Sequence, residues 1–447
     1  MTTNSIVIPI FHVGWALAHR FCICAKKKNG GPRPPYGVLV TPTTRKSPVK
    51  VADLRGYSRL AVDATIGLTS LVETMHHNIL RTPGILGEST QKPTSGITGL
   101  VYKSIRGITR AVGGGIDAVL ARLVPVFGDR ASSAEREVVL AALNGVLGDH
   151  LQHSANPLAI PTRLRRQGLA LELKRDSLAA VIPGATGRVL VLVHGLCMND
   201  LLWRRNDHDH GAALAVDAGF TPVYLNYNSG LHVSTNGHAF AGQLEVLLRA
   251  WPVPVDELVL LGHSMGGLVA RSACHYAALA RHAWPQHLRK IIFLGTPHHG
   301  APLERGGNWI DAVLDASPYT TAFARLGKIR SAGVTDLRHG SMLDEDWDHQ
   351  DRFARSRHKP CALPLPANVD CCTIAASIAK KSGDLAERLL GDGLVPLASA
   401  LGKHKDPRRQ LAFPKDRQWI GHGMNHLDLL DRKEVYAQIR HWLGQSR

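Results

Sequence analysis

From about residue 185 onward, short apolar runs alternate with helical patterns, and that alternation predicts an α/β fold: a mostly parallel sheet covered by helices on both faces. The runs are Val189 to Val193, Pro222 to Asn226, Leu258 to Leu261, Lys290 to Leu294, Val369 to Ala376 and Gln418 to Ile420. Helical patterns lie between or after them near 209–218, 236–250, 266–281 and 432–444. Strand–helix–strand units of this kind close with right-handed crossovers. Residues 302–365, rich in Arg, Asp, His and Trp, break the alternation between two runs and read as an inserted cap.

The chain before this domain has a different texture. Residues 1–50 contain no acidic residue, yet carry Lys26, Lys27, Lys28, Arg33, Arg45, Lys46 and Lys50 among Gly, Pro and Thr, which predicts a flexible basic arm. The apolar stretch Ile6 to Cys24 is interrupted by His12, His19 and Arg20 and has no basic residue before it, so it reads as neither a signal peptide nor a membrane span. Over 51–150, Leu60, Ala64, Leu68, Leu71 and Val72 recur at helical spacing, as do Ile108, Val112, Ile116, Val119, Leu120 and Leu123. This predicts a helical extension, interrupted at Gly113, Gly114 and Gly115. Residues 151–184 read as a connecting segment, and 185–447 as the α/β domain.

Composition narrows the function classes. With 447 residues, 44% of them hydrophobic and 20% charged, the chain can bury a large core. Its formal charge of +17 attracts it to anionic surfaces, and an anionic membrane surface is the expected partner of the arm and the amphipathic helices. No RNA-binding aromatic signature, zinc-finger spacing or heptad basic region accompanies that charge, so nucleic acid is not expected. Seven cysteines are too few and odd in number for a disulfide framework, which favours a reducing, cytoplasmic compartment. Cys22 and Cys24 are too close for an ordinary zinc pair, while Cys197 and Cys274 lie in apolar surroundings expected to bury them.

The chemistry concentrates in a few short segments. Gly262-His263-Ser264-Met265-Gly266 follows the run ending at Leu261 and leads into a helical pattern. With 43 glycines in the chain, such a pentad would arise by chance in roughly one sequence in five of this kind, so its position between strand and helix carries the signal. A serine on that turn is exposed at a helix N-terminus, where a base can reach it, and small residues two before and two after keep the backbone from colliding. The backbone N–H of Met265 supplies one oxyanion donor, and the N–H of Leu196, after the bend at Gly195, is the candidate for the second. The base should be a late histidine, with the acid between it and the serine. His422 and His426 both follow the last run, and His426 is preferred because it directly precedes the helical pattern Leu427, Leu429, Leu430. For the acid, Asp392 sits between Gly391 and Gly393 in a loop after the penultimate strand, with Asp384, Asp428 and Asp431 as competitors. His208 and His210 form a further cluster, read as solvated or hydrogen-bonded rather than metal-binding.

Together, Val-His-Gly-Leu at 193–196, Gly-His-Ser-Met-Gly-Gly at 262–267, Leu-Gly-Thr-Pro-His-His-Gly at 294–300, Gly-Asp-Gly-Leu-Val-Pro at 391–396 and Asn-His-Leu at 425–427 resemble the bacterial lipases and esterases related to the GPI inositol-deacylase (PGAP1-like) group. The resemblance covers roughly 185–445 and implies the α/β-hydrolase fold, a Ser264–Asp392–His426 triad and an oxyanion hole at Leu196 and Met265. It also implies hydrolysis of carboxylic esters, lipid-like ones included, with no cofactor and no metal. Two other classes compete: an acyltransferase using the same acyl-enzyme, and an inactive hydrolase domain that only binds membrane surfaces.

Overall fold

The structure, a computed structural model, describes residues 52–64, 66, 110, 114, 117, 134–301, 331–347, 360–380 and 391–444. The basic arm with Cys22 and Cys24, the helical positions from Leu68 to Leu123, the alternative acid Asp384, and residues 302–330 and 348–359 of the expected cap lie outside them.

Eight strands form one sheet: β1 (Arg163–Arg166), β2 (Leu169–Ala170), β3 (Arg188–Val193), β4 (Thr221–Asn226), β5 (Glu257–His263), β6 (Leu288–Leu294), β7 (Asp370–Ser377) and β8 (Gln418–His422). Their order is β2-β1-β4-β3-β5-β6-β7-β8. From β4 to β8 every pairing is parallel, while β1 pairs antiparallel with both β2 and β4. The apolar runs are continuous because successive residues feed two different cores. Val189, Val191 and Val193 of β3 and Leu258 and Leu260 of β5 face one side, whereas Leu190, Leu192, Val259 and Leu261 face the other.

The helices that cover these faces are α1 (Ala134–His153), α2 (Arg175–Val181), α3 (His210–Ala218), α4 (Val233–Arg249), α5 (Met265–Leu279), α6 (Ala332–His339), α7 (Leu397–Ala400) and α8 (Lys433–Gly444). Phe240, Leu244 and Leu247 of α4 pack with Leu268, Val269 and Ala273 of α5 on the first face. Leu214 of α3 and Val435, Ile439 and Trp442 of α8 fill the second. The termini follow from local chemistry. Asp209 caps α3 by accepting from Ala212 N, Ser331 caps α6 by accepting from Val334 N, and both helices end at a left-handed glycine, Gly219 and Gly340. This architecture is the α/β-hydrolase fold.

Residues 151–184 differ from a plain connection, because they carry β1, β2 and α2. Arg-Leu-Arg-Arg shows no apolar alternation, since only Leu164 of β1 is buried, and pairing with β4 is what makes it a strand. The described part of the helical extension joins the same body. Its stretch 52–64 docks on α1 through an ion pair between buried Asp53 and Arg136, and on the turn after it through Asn156 Nδ2, which donates to Gly56 O at 3.1 Å. Leu140, Leu143, Leu147 and Leu151 of α1 close a small core with Leu158 and Ile160. Among the described residues no helix is long and apolar enough to cross a membrane.

The interior holds an unusual number of imidazoles: His194, His210, His263 and His298 are each at most 1% exposed. Burial holds all four rings neutral, lowering His194 and His210 to about 4 and His263 and His298 well below the ordinary value. In the unfolded chain the same rings take up protons near pH 6.5, so the unfolded state binds more protons than the native one as pH falls below that value. His194 and His210 then each withdraw on the order of 3 kcal/mol between about pH 6.5 and 4, and His263 and His298 act in the same direction, against a total stability of roughly 5–15 kcal/mol. Urea unfolding should therefore show a midpoint that is flat above pH 7 and falls steeply below 6.5, with no cooperative transition left near pH 4. A midpoint unchanged between pH 7.5 and 5 would contradict this account.

Candidate active site

The direction of winding reverses beside β3: the chain passes from β3 to β4 on one side, then crosses back to β5 on the other. In such sheets the loops leaving the two strands part company at their carboxyl ends and leave a crevice. Here the loops are His194–Cys197 after β3 and Ser264 after β5.

Ser264 adopts φ 54° and ψ −125° between the end of β5 and the first residue of α5. That left-handed conformation turns the chain sharply, and the small residues around it are sterically required. A Cβ on Gly262 would stand 2.7 Å from Gly267 Cα, and one on Gly266 only 2.1 Å from Val193 O. Met265 opens α5, so its N–H has no helical carbonyl one turn behind it to bond.

The loop after β3 is held from several directions. Tyr227 stacks on His194 at 4.2 Å and its hydroxyl donates to His194 O at 2.7 Å. His194 Nδ1–H donates to Gly195 O at 2.8 Å, and Cys197 N–H donates to Ser229 Oγ at 3.0 Å. Cys197 has a φ of 59° and is buried, which pushes its thiol up to about 12. Helix α1 presses on this loop: a Cβ on Gly145 would lie 2.2 Å from Cys197 Sγ and 2.9 Å from Cys197 Cα. Ser331 at the head of α6 donates to Gly145 O at 2.6 Å, and Asn228 Nδ2 donates to Gly148 O at 2.9 Å. No sequence pattern pointed to this contact between extension and site.

On the other side of the crevice, His426 Nδ1 lies 2.7 Å from Asp392 Oδ2, and both residues are buried. The second carboxylate oxygen of Asp392 accepts from Leu394 N at 2.9 Å and Val395 N at 2.7 Å, so the acceptor is fixed before it meets the ring. His426 N–H in turn donates to Asp392 O at 3.2 Å. His426 is the first residue of a short 3₁₀ helix, His426–Leu430, capped by Asn425. His263 packs against it with ring centroids 4.7 Å apart, its Nε2 3.3 Å from His426 O.

One pocket of about 840 Å³, including its open mouth, is lined by Gly195, Leu196, Ser264 and His426 together. The structure thus gathers Ser264, His426, Asp392, Leu196 and Met265 at one place. No hydrogen bond joins Ser264 to His426 in this arrangement; such contacts often tighten only when substrate is bound. The alternatives are engaged elsewhere. Asp428 accepts from Asn425 N at 2.9 Å as part of the cap, Asp431 pairs with Arg205, and His422 is the last residue of β8. His208 and His210 hydrogen-bond to each other at 2.8 Å, and His210 donates on to Leu429 O. Among the described residues no group of three His, Cys, Asp or Glu side chains could hold a metal ion.

Residues 185–364 match the family described as PGAP1-like alpha/beta domain. The match takes in the loop after β3 and Ser264, whereas Asp392 and His426 follow the PGAP1-like segment and reach the site from β7 and β8. No curated protein matches the chain. Among solved structures, the mature form of the lipase BlEst2 from Bacillus licheniformis is 20% identical, with a TM-score of 0.37 over 57% of this chain and 91% of its own. Lipase B from Aspergillus fumigatus is 11% identical, with a TM-score of 0.37 over 89% of this chain and 84% of its own.

The left-handed serine makes a prediction independent of any activity. Strain at a non-glycine residue in this region amounts to about 1–3 kcal/mol, and a glycine would relieve it. Ser264→Gly should therefore melt above Ser264→Ala, since both lose the hydroxyl and only one loses the Cβ. Equal melting temperatures would show that the turn is unstrained.

Proposed function

We propose that the protein is a serine hydrolase of carboxylic esters, acting through Ser264, His426 and Asp392. The observation that carries this reading is the buried His426–Asp392 pair, 2.7 Å apart and opening on the same pocket as a serine on a strained strand-to-helix turn. In the proposed first half-reaction His426 Nε2 takes the Ser264 proton as Oγ attacks the ester carbonyl, and the N–H groups of Leu196 and Met265 bind the oxyanion. The imidazolium then protonates the leaving alcohol. Water attacks the acyl-enzyme in the second half, again with His426 as base, and the acid and free Ser264 are released. Asp392 keeps Nδ1 protonated and the ring oriented, and its two backbone donors keep the carboxylate itself from turning.

Turnover of p-nitrophenyl esters from acetyl to palmitoyl, together with fluorophosphonate labelling, tests the reading. Ser264→Ala should abolish labelling and lower turnover by on the order of 10⁴ or more, His426→Ala should match it, and Asp392→Asn should come close. Asp428→Asn and His422→Ala should stay within a few fold. Normal turnover by Ser264→Ala would overturn the proposal, and a harmless Asp392→Asn beside a crippling Asp428→Asn would overturn the choice of acid.

The contact between α1 and the loop after β3 bears on the oxyanion donor. Adding a methyl at Gly145 must move Cys197, one residue past Leu196, by several tenths of an ångström or more. A misplaced donor acts on the transition state more than on substrate binding, so Gly145→Ala should lower kcat by roughly 10- to 100-fold with little change in KM. Unaltered kcat in a variant that folds would separate the helix from catalysis.

A further inference from the structure

Resting on the hydrolase reading above, we propose that Arg204, beside Arg205, makes the site selective for esters that carry a negative charge beside an apolar acyl chain. The pocket wall is apolar at Met198, Leu202, Leu394, Leu427 and Leu430, which suits a hydrocarbon chain, and the two arginines are the charged residues that line it. Among the described residues no carboxylate lines it; Asp392 lies behind His426 and is 2% exposed.

These arginines are held in place by a built turn. Arg205 and His208 exchange two backbone hydrogen bonds, each of 2.8 Å, across Asn206 and Asp207, whose φ values are 45° and 60°. Two successive left-handed residues make a tight turn, a conformation that Asn and Asp tolerate better than most residues. The anchor is Asp431, 8% exposed, which accepts from Asn206 Nδ2 and lies 3.2 Å from Arg205 Nε. Arg205 is thereby already paired with a carboxylate. Among the described residues the Arg204 side chain, beside it, meets only Asp207, at 3.3 Å, in a pair whose side chains are 73% and 96% exposed. Water screens so exposed a pair, and an anionic group on a bound ester can take the place of Asp207. A guanidinium binds phosphate and carboxylate oxygens alike, so the charge can sit as a phosphate on the alcohol portion or as a carboxylate on the acyl portion.

Two pairs of soluble esters, used below their micellar concentrations, test this and separate the two sources. The first compares dibutyryl phosphatidylglycerol with dibutyrin; the second compares the monophenyl ester of glutaric acid with phenyl pentanoate. The wild-type protein should favour the charged member of at least one pair by about fivefold or more in kcat/KM at low salt, the gain expected of one exposed charge-assisted contact. High salt should erase that preference. Arg204→Gln should also erase it, and Arg204→Lys should restore part of it, each variant being checked for folding by its rate of fluorophosphonate labelling. Preference in the first pair alone assigns a phosphate, and in the second alone a carboxylate; both outcomes support the proposal. An active enzyme with no preference in either pair, or with a preference that salt and Arg204→Gln leave intact, overturns it while sparing the hydrolase reading. A protein that neither labels nor cleaves any of the four esters overturns both.

Discussion

The site depends on one close backbone approach, that of the start of α5 to the end of β3. Gly266 lies where any side chain would strike Val193 O, and Gly262 where one would strike Gly267. Because nothing intervenes, the first turn of the helix and the loop His194–Cys197 share one crevice, and Ser264 is turned into it by its left-handed backbone. The parallel sheet makes this approach rigid. Strands buried on both faces cannot shift register without carrying apolar residues out of both cores at once.

Polar groups around the crevice are arranged so that the residues facing the pocket are positioned by others that do not reach it. The Asp392 carboxylate is bound by two backbone N–H groups before it meets His426, and the His194 ring is pinned between Tyr227 and Gly195 O. His263, which also lines the pocket, packs against His426 as a neutral ring. The same burial that fixes these imidazoles makes the fold sensitive to acid, so positional accuracy near the crevice and stability at low pH are opposed in this protein.

The extension N-terminal to the domain is tied to the site by contact. Helix α1 lies against Cys197, and Arg165 of β1 bridges Glu137 of α1 at 3.0 Å and Asp200, just beyond the loop, at 2.9 Å. These ties run from one helix to both ends of the segment 197–200. A helix in that position acts as a wall of the loop, and Gly145 is where the wall comes closest to it, while Gly148 packs on Asn228 in the loop after β4.

The sequence by itself determined the class of fold and the local turn at Ser264. Both rest on neighbours in the chain: continuous apolar runs require burial on two faces, and glycines two residues either side of a serine between strand and helix permit only a narrow range of backbone paths. It also confined the late histidine and the acid to a few loops, because in this topology those loops emerge at one edge of the sheet. Which carboxylate faces His426 was decided in three dimensions, by the loop at 391–396 folding its own N–H groups onto Asp392 while Asp428 and Asp431 were drawn into a cap and an ion pair. The strands at 163–170, the seating of α1 on the loop after β3 and the turn that presents Arg204 were likewise beyond the reach of pattern. Each is created by contact between residues far apart in the chain: β4 lends an edge to an arginine-rich tetrapeptide, Cys197 receives Gly145, and Asp431 holds Arg205 from more than half the domain away.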